Sequence, residues 1–280
     1  MTRAGFRIAL LQLRVGPNKA DNIGHALEKI RCAVKEHGAK VVALPECFNS
    51  PYGTQYFASF AEEIPDGETC QYLSAIAKEL GIFLIGGTIP EKVGNTIYNT
   101  CTVWSPEGLL LATYRKLHLF DVDIPGEIVI RESDVLTSGN QLAVISMFGA
   151  KIGIGICYDI CFDELARIYR NQGCDMLIYP GTFNIRREPL HWRLLAKTRA
   201  IDTQSYVATI SPARDKEAGY VAFGHSMVVD PWAKIIVSAK ENEEIILTYV
   251  NLKTVDNVRA QIPNFKQRRL DLYDTKIQGS

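Results

Sequence analysis

Neither sign of charge is in surplus in this chain of 280 residues: 31 basic side chains face 31 acidic ones, for a formal net charge of zero. Without a concentrated field, nucleic acid and anionic membrane surfaces are excluded as partners. Long apolar runs are missing too. No segment approaches the roughly eighteen residues that a bilayer span needs, and Met1-Thr2-Arg3-Ala4-Gly5-Phe6-Arg7 has no apolar stretch of signal length. The expectation is a cytoplasmic protein, with a mitochondrial pool left open. Cysteine is present seven times, at 32, 47, 70, 101, 157, 161 and 174, but never as Cys-x-x-Cys. That odd number and spacing exclude a disulfide framework and a zinc ribbon, and suit a reducing compartment. The glycines of Gly149-x-x-x-Gly153-x-Gly155 lack the Lys-Ser/Thr that ends a phosphate loop. Asp121, Asp123, Glu127 and Glu132 lack the spacing of an EF-hand, so no calcium loop is read there. No linker, composition break or low-complexity tract divides the chain. One domain over residues 1–280 is expected, with 253–280 as a tail packing on the core or across a dimer interface.

What is present is an alternation of strand-like and helix-like patterns. Residues 6–13 and 41–44 are apolar strand candidates, separated by Ile23, Ala26, Leu27, Ile30, Ala33 and Val34 at helical spacing. That β-α-β unit predicts two parallel strands. Residues 69–80 read as a helix, 82–86 as a strand, and 95–104 and 109–114 as a hairpin around Ser105-Pro106-Glu107-Gly108. Residues 118–139 show weak periodicity and are expected to be a long loop. A second β-α-β stretch over 151–210 repeats the plan, again followed by hairpins. Two stacked mixed sheets with helices outside both, a four-layer α-β-β-α sandwich of α/β class, absorb this halving better than one doubly wound sheet, because antiparallel hairpins are frequent.

The chain is organised around Lys151-Ile152-Gly153-Ile154-Gly155-Ile156-Cys157-Tyr158-Asp159. Its glycines imply close packing or a bulge, and Cys157 falls at the turn from a core strand into a helix. Such a turn can present a nucleophile at the rim of a sheet. Glu46 and Lys116 also follow predicted strands directly, and strand exits are where open α/β sheets place their sites. A carboxylate, an ammonium and a thiol form a coherent acyl-transfer set: base, cation and nucleophile. A cysteine–histidine pair through His118 or His191 is the competing arrangement, and it leaves Glu46 and Lys116 without a role.

Three separated segments, Ala43-Leu44-Pro45-Glu46, Tyr114-Arg115-Lys116-Leu117-His118-Leu119-Phe120 and Gly155-Ile156-Cys157-Tyr158-Asp159, resemble the signature regions of the nitrilase (carbon–nitrogen hydrolase) superfamily. Glu46-Cys47-Phe48-Asn49-Ser50-Pro51-Tyr52, residues 118–126 and Gly224-His225-Ser226-Met227-Val228-Val229-Asp230-Pro231-Trp232 are similar to its omega-amidase branch. The resemblance implies an α-β-β-α sandwich that forms a homodimer, needs no cofactor, and carries a Glu-Lys-Cys triad at Glu46, Lys116 and Cys157, with Glu132 as a second glutamate. It implies hydrolysis of the terminal amide of 2-oxoglutaramate and 2-oxosuccinamate through a cysteine thioester. On this reading the N–H of Tyr158 faces the oxyanion, and Tyr52, Phe183, Asn184, Arg186 and Arg187 are candidates for holding the small-molecule amide substrate. A related amidase, carbamoylamine hydrolase or nitrile hydrolase with the same triad is the nearest alternative. A non-catalytic dimeric scaffold is the alternative of another class. One departure stands out: relatives carry arginine where this chain has Cys161, so either a supporting ion pair near the nucleophile turn is lost or another arginine replaces it.

Overall fold

Alternate residues of the first strand, Phe6–Gln12 (β1), enter two different cores: Phe6, Ile8 and Leu10 one, Ala9 and Leu11 the other. A strand buried on both faces reads as a continuous apolar run, which is what residues 6–13 are. In the computed structural model, residues 3, 5–125, 128–185 and 188–278 are described. After β1 come Lys19–Lys35 (α1), Val41–Ala43 (β2), Thr54–Phe60 (α2), Glu68–Leu80 (α3), Phe83–Val93 (β3), Thr96–Trp104 (β4) and Leu110–Arg115 (β5). Asp121–Ile124 (β6) and Ile128–Arg131 (β7) follow, then Val144–Met147 (β8), Ala150–Ile154 (β9), Asp163–Asn171 (α4), Met176–Pro180 (β10) and Glu188–Thr203 (α5). Tyr206–Ile210 (β11), Met227–Val229 (β12), Ile235–Ser238 (β13), Glu244–Val250 (β14) and Leu252–Gln261 (α6) complete the order.

Two six-stranded sheets result, ordered β14-β1-β2-β3-β4-β5 and β13-β12-β11-β10-β9-β8. In each, three parallel strands are flanked by antiparallel ones: β1, β2 and β3 in the first, β9, β10 and β11 in the second. The halving visible in the sequence is therefore a repeat of architecture. Helices α1 and α3 cover the outer face of the first sheet, where Ala26, Ile30 and Ala33 meet Leu11, Val42 and Leu84. The first sheet's other face shares one core with the second sheet and with Leu165, Tyr169, Trp192 and Ala196 of α4 and α5. This is the expected four-layer sandwich. Along the tail, α6 buries Leu252, Val255 and Val258, and Arg259 reaches Asp175 at 3.0 Å. Among the described residues no helix is long and apolar enough to cross a membrane, and all seven cysteines are free.

Three local expectations are corrected. Residues 118–139 are not an irregular loop, since β6 and β7 pair over four positions and a 3-10 turn, Glu132–Asp134, follows. Exposed aspartates alternating with the half-buried Val122 and Ile124 in β6 hid this two-stranded ribbon, because aspartate is depleted in strands. Strand β3 runs on to Val93 because the Gly86-Gly87 break is a bulge, with φ +59° at Gly87 and the register shifting between Ile85 and Thr88. The turn after Ile156 is a five-residue 3-10 segment, Cys157–Cys161, with the α-helix starting only at Asp163. The strand glycines do serve close packing: a Cβ at Gly153 would lie 2.8 Å from the Tyr169 ring.

Candidate active site

The repeated β-α-β plan brings strand exits from both sheets to one place. Glu46 lies three residues beyond β2, an exit tied to β3 by Leu44 N–H to Ile85 O (2.9 Å) and Thr88 N–H to Pro45 O (3.2 Å). Lys116 follows β5 directly, its own N–H on Asn99 O at 2.9 Å. Glu132 opens the 3-10 turn at the end of β7, and Cys157 opens the one after β9 with φ at +49°. A non-glycine residue in the left-handed region is held there by its surroundings. Part of that hold is Gly181, where a Cβ would come within 3.0 Å of the Cys157 Cα.

Lys116 Nζ sits between two carboxylates, 3.3 Å from Glu46 Oε1 and 2.9 Å from Glu132, and all three side chains are fully buried. Each carboxylate has further donors. Glu46 accepts from Asn99 Nδ2 (2.8 Å) and the Thr182 N–H (2.6 Å), and Glu132 from the Tyr52 hydroxyl and the Phe120 N–H, both at 2.7 Å. A buried charge is tolerated only with such partners. Burial alone would lower the Lys116 pKa, but Glu132 and Glu46 outweigh it and hold the ammonium well above its ordinary value. Two of its three hydrogens face carboxylates, which leaves one for a ligand.

Cys157 is buried, and that desolvation, reinforced by Glu46, pushes its thiol well above the usual range, against the opposing pull of Lys116. Burial thus favours the thiol form of Cys157, and a reaction at its sulfur would have to remove that proton. Glu46, Lys116 and Glu132 are all electrostatic neighbours of Cys157. Histidine is not: His118 Nδ1 is 2.7 Å from Asp159 Oδ1 and its ring stacks on Phe162, and the His191 side chain is exposed. The cysteine–histidine arrangement therefore has no partner here.

Asp159 was not singled out from the sequence, yet it holds the nucleophile turn. Fully buried, it accepts from Ile156 N–H (2.9 Å), Tyr114 hydroxyl (2.7 Å) and His118 N–H (3.0 Å). Its position three residues after Ile156, where an acid can cap the start of a turn, was the available signal. Asn99 and Thr182 were missed as well, and nothing local marks them.

At Cys161 the structure decides between the two possibilities for the missing arginine. Arg199, on α5, donates to Ile160 O at 2.8 Å and Cys161 O at 3.2 Å and pairs with Asp202 at 3.0 Å. A guanidinium from another helix braces the same turn. Arg199→Ala is expected to cost about 2 kcal/mol, since hydrogen bonds to charged groups contribute about 1.5–3. Urea denaturation measures it.

Two clefts adjoin the buried cluster. One, of about 730 Å³, is lined by Tyr52, Arg131, Glu132, Asn184 and Tyr220. The other, of about 250 Å³, is lined by Glu46, Cys47, Ser50, Tyr52, Thr182 and Tyr220. Tyr52 and Tyr220, their rings 4.5 Å apart, stand between them. Ser50 Oγ and Thr182 Oγ1 are buried without a hydrogen-bond partner among the described residues, so both are available to a ligand. Of the expected substrate contacts, Asn184 lines the large cleft, and Tyr52 lines both while its hydroxyl serves Glu132. Phe183 lines neither of these clefts, and its ring packs on Trp192 at 4.7 Å. Arg186 and Arg187 lie outside the described residues. The one group of metal-type donors close together among the described residues, Cys32, Glu36 and His37, includes none of the residues around Lys116.

Comparison with known proteins agrees with this geometry. The carbon-nitrogen hydrolase family profile matches residues 7–260. The omega-amidase NIT2 of Homo sapiens is 50% identical over 273 residues, covering 98% of both chains, and that of Danio rerio is 53% identical over 268 residues, 96% of both. The crystal structure of Saccharomyces cerevisiae Nit3, a member of branch 10 of the nitrilase superfamily, superposes with a TM-score of 0.88 at 40% identity, covering 96% of this chain and 98% of that one. With signature residues, fold and full-length relatives in agreement, the chain belongs to the carbon–nitrogen hydrolases of the nitrilase superfamily, enzymes that act through a cysteine.

Proposed function

We propose that this enzyme is an omega-amidase, hydrolysing the terminal amide of 2-oxoglutaramate and 2-oxosuccinamate to ammonia and 2-oxoglutarate or oxaloacetate. The observation that carries the reading is identity of half or more, over nearly the whole length, to proteins named omega-amidase. Glu46 takes the proton from Cys157 as sulfur attacks the amide carbon. The free hydrogen of Lys116 and the Tyr158 N–H receive the oxyanion, where preorganised donors contribute most. Glu46 then protonates the leaving nitrogen, ammonia departs, and a thioester remains. A water deprotonated by Glu46 attacks the thioester, and collapse of the second intermediate returns the proton to sulfur. Glu132 keeps Lys116 in place at 2.9 Å. Ammonia release from 2-oxoglutaramate, compared with a simple nitrile and an N-carbamoyl amine, tests the reading. Preference for either of the latter overturns it.

Such substrates carry a carboxylate at the far end, and we assign its recognition to Arg131. This arginine lines the large cleft beside Glu132, and among the described residues its side chain has no hydrogen bond or ion pair. Asp121, its cross-strand neighbour, is engaged with the Ser133 N–H at 3.0 Å. Losing one charge-assisted contact costs about 1.5–3 kcal/mol, roughly ten- to a hundredfold. Arg131→Gln should raise KM for 2-oxoglutaramate by about that factor and leave a neutral aliphatic amide unchanged. Equal KM changes for both would remove Arg131 from the site. A homodimer is part of the same reading, and sedimentation checks it.

A further inference from the structure

At the carboxyl end of α4, a group of cations exceeds the anions near it. Arg259 has its full set of partners: Asp175 at 3.0 Å, Cys174 O at 2.6 Å and Ser205 Oγ at 3.0 Å. Arg3 pairs with Asp175 at 2.7 Å and Asp256 at 2.5 Å. Arg268 donates to Asn171 at 3.0 Å and lies over the Phe265 ring at 3.9 Å. Arg170 is different. It lies over the same ring at 4.2 Å, but it has no hydrogen bond or ion pair among the described residues, and its buried Nε has no partner. Lys266 also has no partner among them.

Of these cations, Arg170, Arg259 and Lys266 border a cavity of about 280 Å³, lined also by Gln204, Asp256 and Pro263. Among the residues lining it, Arg170, Arg259 and Lys266 supply three positive charges against one from Asp256, an excess of two. Burial and the neighbouring Arg259 pull the Arg170 guanidinium down to about 10, with Asp175 opposing and Arg268 adding to the shift. Arg170 is half-buried, and its Nε is withdrawn from water with no hydrogen bond in return, which is unfavourable until a ligand supplies one.

We propose that this cavity binds a small dianionic oxyanion, a phosphate group, held by Arg170 and Lys266. A planar guanidinium and a mobile ammonium suit a tetrahedral anion. The cavity is roughly ten times the volume of one water, so a phosphate carrying an organic substituent also fits.

The experiment follows melting and binding of the full chain in phosphate-free buffer, with ionic strength held constant by sodium chloride. Inorganic phosphate at ten times its Kd should raise Tm by about 3–5 °C. Arg170→Gln should weaken phosphate by about tenfold or more and remove that gain. Without phosphate the variant should melt within a few degrees of the parent, because it loses its place over the Phe265 ring but no ion pair. Glycerol 3-phosphate, run in parallel, identifies the source: tighter binding than inorganic phosphate indicates a phosphorylated metabolite, equal or weaker binding the free ion. An equal gain from chloride or an unchanged gain in Arg170→Gln would each overturn the proposal. So would inert phosphate combined with loss of oligomer in Arg170→Glu, which would mean that a second copy's carboxylate fills the cavity.

Discussion

Cys157→Ala is expected to release no ammonia above background, a loss of at least about 10⁴-fold, because the other groups cannot form the thioester. The variant should fold: the side chain is small, and Asp159 and Arg199, which hold the turn, are untouched. Acid-quenched parent enzyme should carry the acyl group of the substrate as a mass increase, and the variant should carry none. Turnover by the alanine variant at the parental rate would remove Cys157 from the chemistry. The raised thiol pKa gives this prediction a second arm. Alkylation by iodoacetamide, which requires thiolate, should keep rising with pH beyond about 8.5, the ordinary cysteine value. On the proposed mechanism amide turnover needs no free thiolate, because Glu46 accepts the proton during attack. The two pH profiles should therefore part, with turnover already high at neutral pH.

Lys116→Met is the second large effect, and it acts on stability and rate together. Without the ammonium, Glu46 and Glu132 are two buried carboxylates with no cation between them. Breaking a buried pair from one side costs about 3–5 kcal/mol, or a fall in Tm of roughly 6–15 °C for a chain of this size. Activity should fall by about 10²–10³-fold through loss of an oxyanion donor alone. Adding Glu132→Gln should restore part of the stability, because one stranded charge is removed, and none of the activity. Calorimetry and ammonia release on the single and double variants separate these effects. The sign with pH follows from the direction of the lysine shift. A folded pKa above the unfolded one gives stability that is complete below about 10.4, the unperturbed lysine value, and lost as pH rises through the folded value.

Most of the fold was legible because periodicity reports burial. The apolar run at 6–13, the helical spacing from Ile23 to Val34 and the second β-α-β stretch all lie within a residue or a few of the observed elements. Legibility failed where burial and propensity disagree, in the β6–β7 ribbon with its alternating aspartates and in β3 beyond its glycine bulge. At the site, Glu46, Lys116 and Cys157 stood out because each closes a strand, and Glu132 only through family resemblance. The place of Phe183 after β10 was legible, and the direction of its ring toward Trp192 was not.

Local sequence by itself determined which segments are strands and helices, that the plan occurs twice, and that an acid, an amine and a thiol stand at strand ends. Those properties depend on neighbours a few residues apart. The tertiary structure alone decided that Lys116 is held between Glu46 and Glu132, that Asp159 ties Tyr114 and His118 to the nucleophile turn, and that Arg199 reaches that turn from α5. It also decided that the buried Nε of Arg170 has no hydrogen-bond partner among the described residues. Each of these contacts joins groups distant in the chain, so sheet order and packing determine them, and no local pattern encodes such distances.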